Sequence, residues 1–183
     1  MVLIHSEVAK SKFKGTVIDI ESIGEFCPEH QDSRHYQNIT PVILGYISKD
    51  GLKIHCAKGM KSLGMLRATI VEIVPGLERP LYAFNCDYER GVLFHSCEIA
   101  LDFDGELNKE KFESKKHAVA LHGIKQYNDP FDDDGLKCSK AWQKGQLQLS
   151  MRHNRSCLLK ERDLLLKRGH RKPDDLELFG HDR

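Results

Sequence analysis

The stretch Phe13-Lys14-Gly15-Thr16-Val17-Ile18-Asp19-Ile20-Glu21 decides how this chain is read. Thr16, Ile18 and Ile20 are β-branched and surround Val17, which predicts a strand over Phe13 to Glu21. Strand side chains alternate between faces, so Val17, Asp19 and Glu21 share one face and Ile18 and Ile20 the other. Two carboxylates on one face of a central strand are costly to bury without cations between their oxygens. At about 4 Å and an effective dielectric of 20 they repel by roughly 4 kcal/mol, a term that a divalent ion reverses. A solvated strand end is the bland alternative.

Working outward, a polar loop from Ser22 to Asn38 separates this strand from a nearly continuous apolar run, Ile39 to Ser48. Lys49-Asp50-Gly51 then reads as a hairpin turn into Leu52 to Cys56. Met60, Leu63, Leu66, Ile70 and Ile73 recur at helical spacing and predict a helix over Lys58 to Val74, stopped at Pro75-Gly76. Leu81 to Phe84 reads as a short strand and Asp87 to Cys97 as a helix. Ile99 to Asp134 is weakly patterned and closes on the turn-rich Asn128 to Gly135, expected as a solvated loop, with a border to the acid-lined cleft as the alternative for Asp129 to Gly135. Leu136 to Lys144 and Leu147 to Arg168 read as helices, broken at Gly145 and ended at Gly169. The expectation is α/β: a mixed sheet starting with three antiparallel strands, flanked by helices, with a helical C-terminal third. Residues 1–169 read as a single domain, and residues 170–183 as a polar C-terminal tail expected to fray.

The 183 residues carry 28 Lys and Arg against 27 Asp and Glu, a net charge of +1. Near-neutrality argues against gripping long nucleic acid by charge alone and leaves a single strand held at a metal site open. The longest apolar run, Pro41 to Ile47, is too short for a membrane span. Met1 to Ile4 is interrupted by His5 and Glu7 too early for a signal peptide. Six cysteines at 27, 56, 86, 97, 138 and 157 contain no Cys-x-x-Cys pair. Reduced thiols and a cytoplasmic location are expected.

Two further places hold acids that need explaining. Phe84-Asn85-Cys86-Asp87-Tyr88-Glu89 runs from strand into helix. Asp87 suits an N-cap there, while Glu89 falls in the first turn, near the strand ends where open α/β sheets bind ligands. On the helix from Leu147, winding at about 100° per residue sets Glu161 among Cys157, Leu158, Leu164 and Leu165. Asp163 falls on the other side with Ser156 and Lys160. His153 lies near the edge of the Glu161 face, and an imidazole there suits a general base.

In order, Asp19-x-Glu21, Asn85-x-x-Tyr88-Glu89 and His153-Asn154-x-x-Cys157 followed by Glu161 resemble the DEDD 3′–5′ exonuclease superfamily of the ribonuclease H-like fold. The resemblance spans roughly Gly15 to Gly169. It departs from the family at Glu89, where an Asp is usual, and at Cys157, where the motif would place an Asp; Glu161, one turn on, is expected to substitute. The resemblance implies that Asp19, Glu21, Glu89 and Glu161 hold two Mg²⁺ or Mn²⁺ ions. It makes His153 the base that activates water, and Asn85 and Tyr88 the residues that position the terminal nucleotide. The implied activity is metal-dependent 3′–5′ exonuclease hydrolysis of DNA or RNA phosphodiesters, acting on single-stranded 3′ ends.

Two alternatives stand beside it. One is a catalytically inactive ribonuclease H-like module that binds nucleic acid or protein, which Cys157 in the acid's place favours. The other is a zinc or redox protein using Cys27, His30, His35, His55 and Cys56, whose spacing matches no zinc module.

Overall fold

A computed structural model describes residues 1–8, 12–111 and 113–180. Six strands form one mixed sheet: β1 (Val2–Glu7), β2 (Thr16–Gly24), β3 (Ile39–Ser48), β4 (Gly51–Ala57), β5 (Leu81–Ala83) and β6 (Gly105–Glu106). Their spatial order is β1-β4-β3-β2-β5-β6. β2, β3 and β4 pair antiparallel as expected, and β5 joins β2, then β6 joins β5, in parallel. The helices are α1 (Leu63–Ile73), α2 (Cys86–Cys97), α3 (Lys115–Leu121), α4 (Gly135–Gln143) and α5 (Leu147–Arg168). The strands of the centre are apolar on both faces, as a covered sheet requires, with Val17, Ile18, Ile43, Leu44, Ile47 and Ile54 fully buried.

β2 continues beyond the end of β5. Thr16 and Val17 pair with Leu81 and Tyr82, but the partner chain turns into α2 after Phe84. The second half of β2 therefore borders a crevice, and a β-bulge between Glu21 and Ser22 bends it there. Across β2 and β3, Asp19 pairs with Gly45, and α5 lies over both. A Cβ at Gly45 would come within 2.0 Å of Asn154 Oδ1, so the glycine sets how closely α5 approaches the sheet.

Four expectations need correcting. β1 went unread: it is an outer strand, paired antiparallel with β4, and its inward Glu7 is bound by Arg155 of α5 at 2.6 Å. The weakly patterned region holds β6 and α3, two short elements below the length at which periodicity shows. Helix α2 is capped from Asn85, not Asp87, and its first free amide, that of Cys86, donates to the buried Glu106 carboxylate at 3.1 Å. The tail is not frayed up to residue 180. Arg171 forms an antiparallel bridge with Glu106, Leu176 is buried, and the Ser33 amide donates to the Glu177 carbonyl.

Candidate functional site

The crevice at the open half of β2 is a cavity of about 380 Å³. β2 supplies Asp19 and Glu21, the β5–α2 junction Phe84, Asn85, Tyr88 and Glu89, and α5 His153 and Cys157. Lys115, the first residue of α3, and the start of α4 complete it. Strand alternation puts both β2 carboxylates on the cavity side, and both are buried. Glu161 lies behind this wall, with no exposed surface. The structure thus brings Asp19, Glu21, Glu89, His153 and Glu161 into one region.

The Lys115 ammonium stands between two of these acids. Its Nζ lies 2.9 Å from Asp19 Oδ1 and also pairs with Glu161 Oε1. Asn154 completes the shell of Asp19 by donating to Oδ2 at 2.7 Å. Burial opposes ionisation of Asp19, yet Lys115 outweighs it and holds the carboxyl below its usual range. Burial likewise works against the Lys115 charge, and Asp19 and Glu161 reverse that, so the amine stays protonated. Glu161 is pushed the other way, first by burial and then by Asp19, well above the usual carboxylate range. One ammonium serves two carboxyls and brings only Asp19 below its usual range.

Glu89 has no such partner. Its carboxyl is raised well above the ordinary value by burial and by the charges of Asp19 and Glu161, and its Oε2 is buried without a hydrogen bond. Glu21 is raised to about 7, chiefly by burial.

His153 is clamped between acids from two elements. Its Nδ1 donates to Asp129 at 2.7 Å, and its Nε2 lies 3.6 Å from Glu21 Oε1. Burial lowers its pKa, but Glu21 and Asp129 together raise it above the ordinary value. The loop from Asn128 to Asp134 is not solvated at these acids. Asp129 and Asp133 both bind Lys160 of α5, which is fully buried. The loop covers the helix side expected to face water, so Ser156 is buried along with Lys160. Tyr127, Asn128, Asp132 and Asp133 all take positive φ, which the paired Lys160 helps to hold.

Asn85 is exposed at the cavity mouth. Tyr88 lines the wall, its hydroxyl bonded to Ser22 and its ring in T-shaped contact with Phe26 and Tyr36. The sequence reading missed Lys115, Asp129, Cys138, Asn154 and Lys160. Only Asn154 carried a signal, as part of the His153-Asn154 motif; Lys160 falls with Ser156 and Asp163 on the side expected to face water. Among the alternative zinc candidates, His35 donates to the Cys27 carbonyl, and His55 stacks on Tyr46. None of Cys27, His30, His35, His55 and Cys56 belongs to a metal-capable group among the described residues.

Three groups of buried donors could hold a metal ion: Glu21 with Cys138 and His153, Asp19 with Glu21 and Cys157, and Asp129 with His153 and Cys157. Within each, the ligand atoms lie within 4.8 Å of one another. No helix among the described residues is long and apolar enough to cross a membrane. Compared with family models, curated proteins and solved structures, the chain matches none.

Proposed function

We propose that this chain is a ribonuclease H-like module that binds single-stranded nucleic acid, with its acid cluster neutralised by Lys115 in place of two divalent ions. The observation that carries this reading is the Lys115 ammonium bound to both Asp19 and Glu161. An amine there stands where a metal would bridge Asp19 and Glu161, with one positive charge in place of the four that a pair of Mg²⁺ ions would bring. The ribonuclease H-like expectation is supported by the sheet: three antiparallel strands, then two parallel ones added beside the first, with the crevice at that strand's carboxyl end. Nucleic-acid binding is supported by the apolar crevice and by Lys137, Lys140 and Lys144. These are exposed on α4 and just after it, beside the Leu136 lip. Few phosphate contacts mean modest affinity and a shallow salt dependence.

The same site has donors for one softer ion. His153 Nε2 lies 3.6 Å from Glu21 Oε1 and 3.7 Å from Cys157 Sγ. Ligand atoms on a tetrahedral zinc, with bonds of about 2.0–2.3 Å, sit roughly 3.3–3.8 Å apart. Glu21, Cys138 and His153 form one group whose ligand atoms lie within 4.8 Å of one another, and carboxylate, thiolate and imidazole suit Zn²⁺ better than Mg²⁺. Bound there, zinc would join β2, α4 and α5, a structural role.

The second reading is the two-metal 3′–5′ exonuclease, with Mg²⁺ or Mn²⁺ on Asp19, Glu21, Glu89 and Glu161 and His153 as base. It is favoured by the convergence of the four carboxylates and by the partnerless Oε2 of Glu89. A 5′-labelled single strand separates the two. Binding in EDTA, without shortening when Mn²⁺ is added, supports the module; a product ladder lost in Asp19→Ala supports the exonuclease. No binding in either condition removes both. Stoichiometric zinc in the purified protein, lost in Cys138→Ser, is the expected result for the single-ion site.

A further inference from the structure

The crevice is apolar at its sides and polar at its floor. Phe26, from the loop after β2, and Leu136, in the first turn of α4, form its rim, and Phe84 lies deeper. Phe26, whose ring stacks on His35 at 5.0 Å, is still 49% exposed, and Leu136 is 73% exposed. At the floor, Asp19 is matched by Lys115 and Asp133 by Lys160. The carboxyl of Glu89 is 4% exposed and its Oε2 lacks any partner. A buried carboxyl oxygen without a partner loses a hydrogen bond it would have in water.

Asp19 and Asp133 are thus held by lysines, and the Glu89 oxygen is left as a polar edge facing the apolar rim. A flat, neutral heterocycle with apolar faces and an N–H on its edge satisfies every part: its faces meet the rim and its edge meets Glu89. Resting on the reading of this chain as a nucleic-acid module, we propose that the crevice is a subsite for one unstacked nucleobase, held between Phe26 and Leu136 and read at its edge by Glu89. Sequence-tolerant recognition of single strands works through such platforms, each stacked base adding enough that its loss weakens binding about 5- to 150-fold. The base would leave the strand at the crevice while its flanking phosphates lie near Lys137 and Lys140.

The test is equilibrium binding in EDTA of a labelled mixed-sequence single strand, an abasic strand of the same length, and the four free nucleosides. The expected result is that the abasic strand binds about 5- to 150-fold more weakly than the mixed strand. Phe26→Ala and Glu89→Leu should reproduce that loss for the mixed strand and leave the abasic strand unchanged. Phe26 is at the surface, so its variant tests the subsite even if Glu89→Leu fails to fold; Glu89→Gln, which keeps an acceptor and a donor, should retain binding. Equal binding of the two strands, or no effect of Phe26→Ala, overturns the subsite and leaves the nucleic-acid reading standing. Nucleoside binding that Glu89→Leu abolishes, with no strand bound, keeps the subsite and overturns the strand reading. No binding of any probe overturns both.

Discussion

Lys115 is the residue on which the site turns. It is charged, nearly enclosed, and shared by two carboxyls. Lys115→Met would leave Asp19 and Glu161 buried together with only Asn154 on the first. Removing one partner of a buried ion pair costs about 3–5 kcal/mol, and urea unfolding of the variant should show a loss of that size. Mn²⁺ should then raise the stability of Lys115→Met and leave the wild type unchanged. Glu21 and His153 set a pH dependence. In the folded protein Glu21 holds its proton up to about 7 against an ordinary 4.5, so folding takes up a proton between those values. His153, raised above its usual value, stabilises the fold below that value and loses its contribution as pH rises through the folded one. Both act in the same direction. In EDTA the unfolding free energy should fall from about pH 5 to pH 8, and Glu21→Gln should remove at most about 3 kcal/mol of that fall.

The acids were legible at this scale because strand alternation and helical winding say which carboxylates turn inward without any knowledge of the partner. Lys115 was not, since it opens a short helix in a region with no periodicity. Its role comes from tertiary placement 96 residues from Asp19. Asp129 and Lys160 were missed for a related reason: a turn-rich acidic segment looks solvated until the lysine that binds it is placed opposite.

At the level of elements, α5 and the loop from Asn128 to Asp134 act as one unit. Lys160 anchors the loop through Asp129 and Asp133, and Asp129 orients His153. Lys160→Met should release the loop, leaving two acids without their cation. The expected signature is faster amide exchange over 128–134 and over the middle turns of α5, with the β3–β4 hairpin unaffected. Uniform acceleration across the sheet would mean that the lysine supports the whole core. Helix α5 itself was readable to the residue, Leu147 to Arg168, because 22 residues run without Gly or Pro between Gly145 and Gly169. Burial of the side at Ser156 and Lys160 was not, because the covering loop has no pattern of its own.

Over the whole molecule, the tail closes the fold by crossing from β6 to the loop at Ser33. Arg171 binds Glu106, which in turn caps α2 beside the site, and Leu176 packs inward. A chain ending at Gly169 loses one buried leucine, about 1.5–3 kcal/mol. Its melting temperature should drop by roughly 2–4 °C for each kcal/mol lost. The three antiparallel strands β2, β3 and β4 followed from the run of strand, strand and hairpin turn. The outer strand β1 and the ordered tail did not, because edges and termini are polar whether or not they pair.

The most direct measurement is a crystal structure of the protein soaked in Mn²⁺, with anomalous scattering to locate the ions. The Lys115 ammonium should remain between Asp19 and Glu161 with no manganese beside them. Two manganese peaks about 3.5–4 Å apart on Asp19, Glu21 and Glu89, with Lys115 displaced, would contradict that and return the site to two-metal hydrolysis.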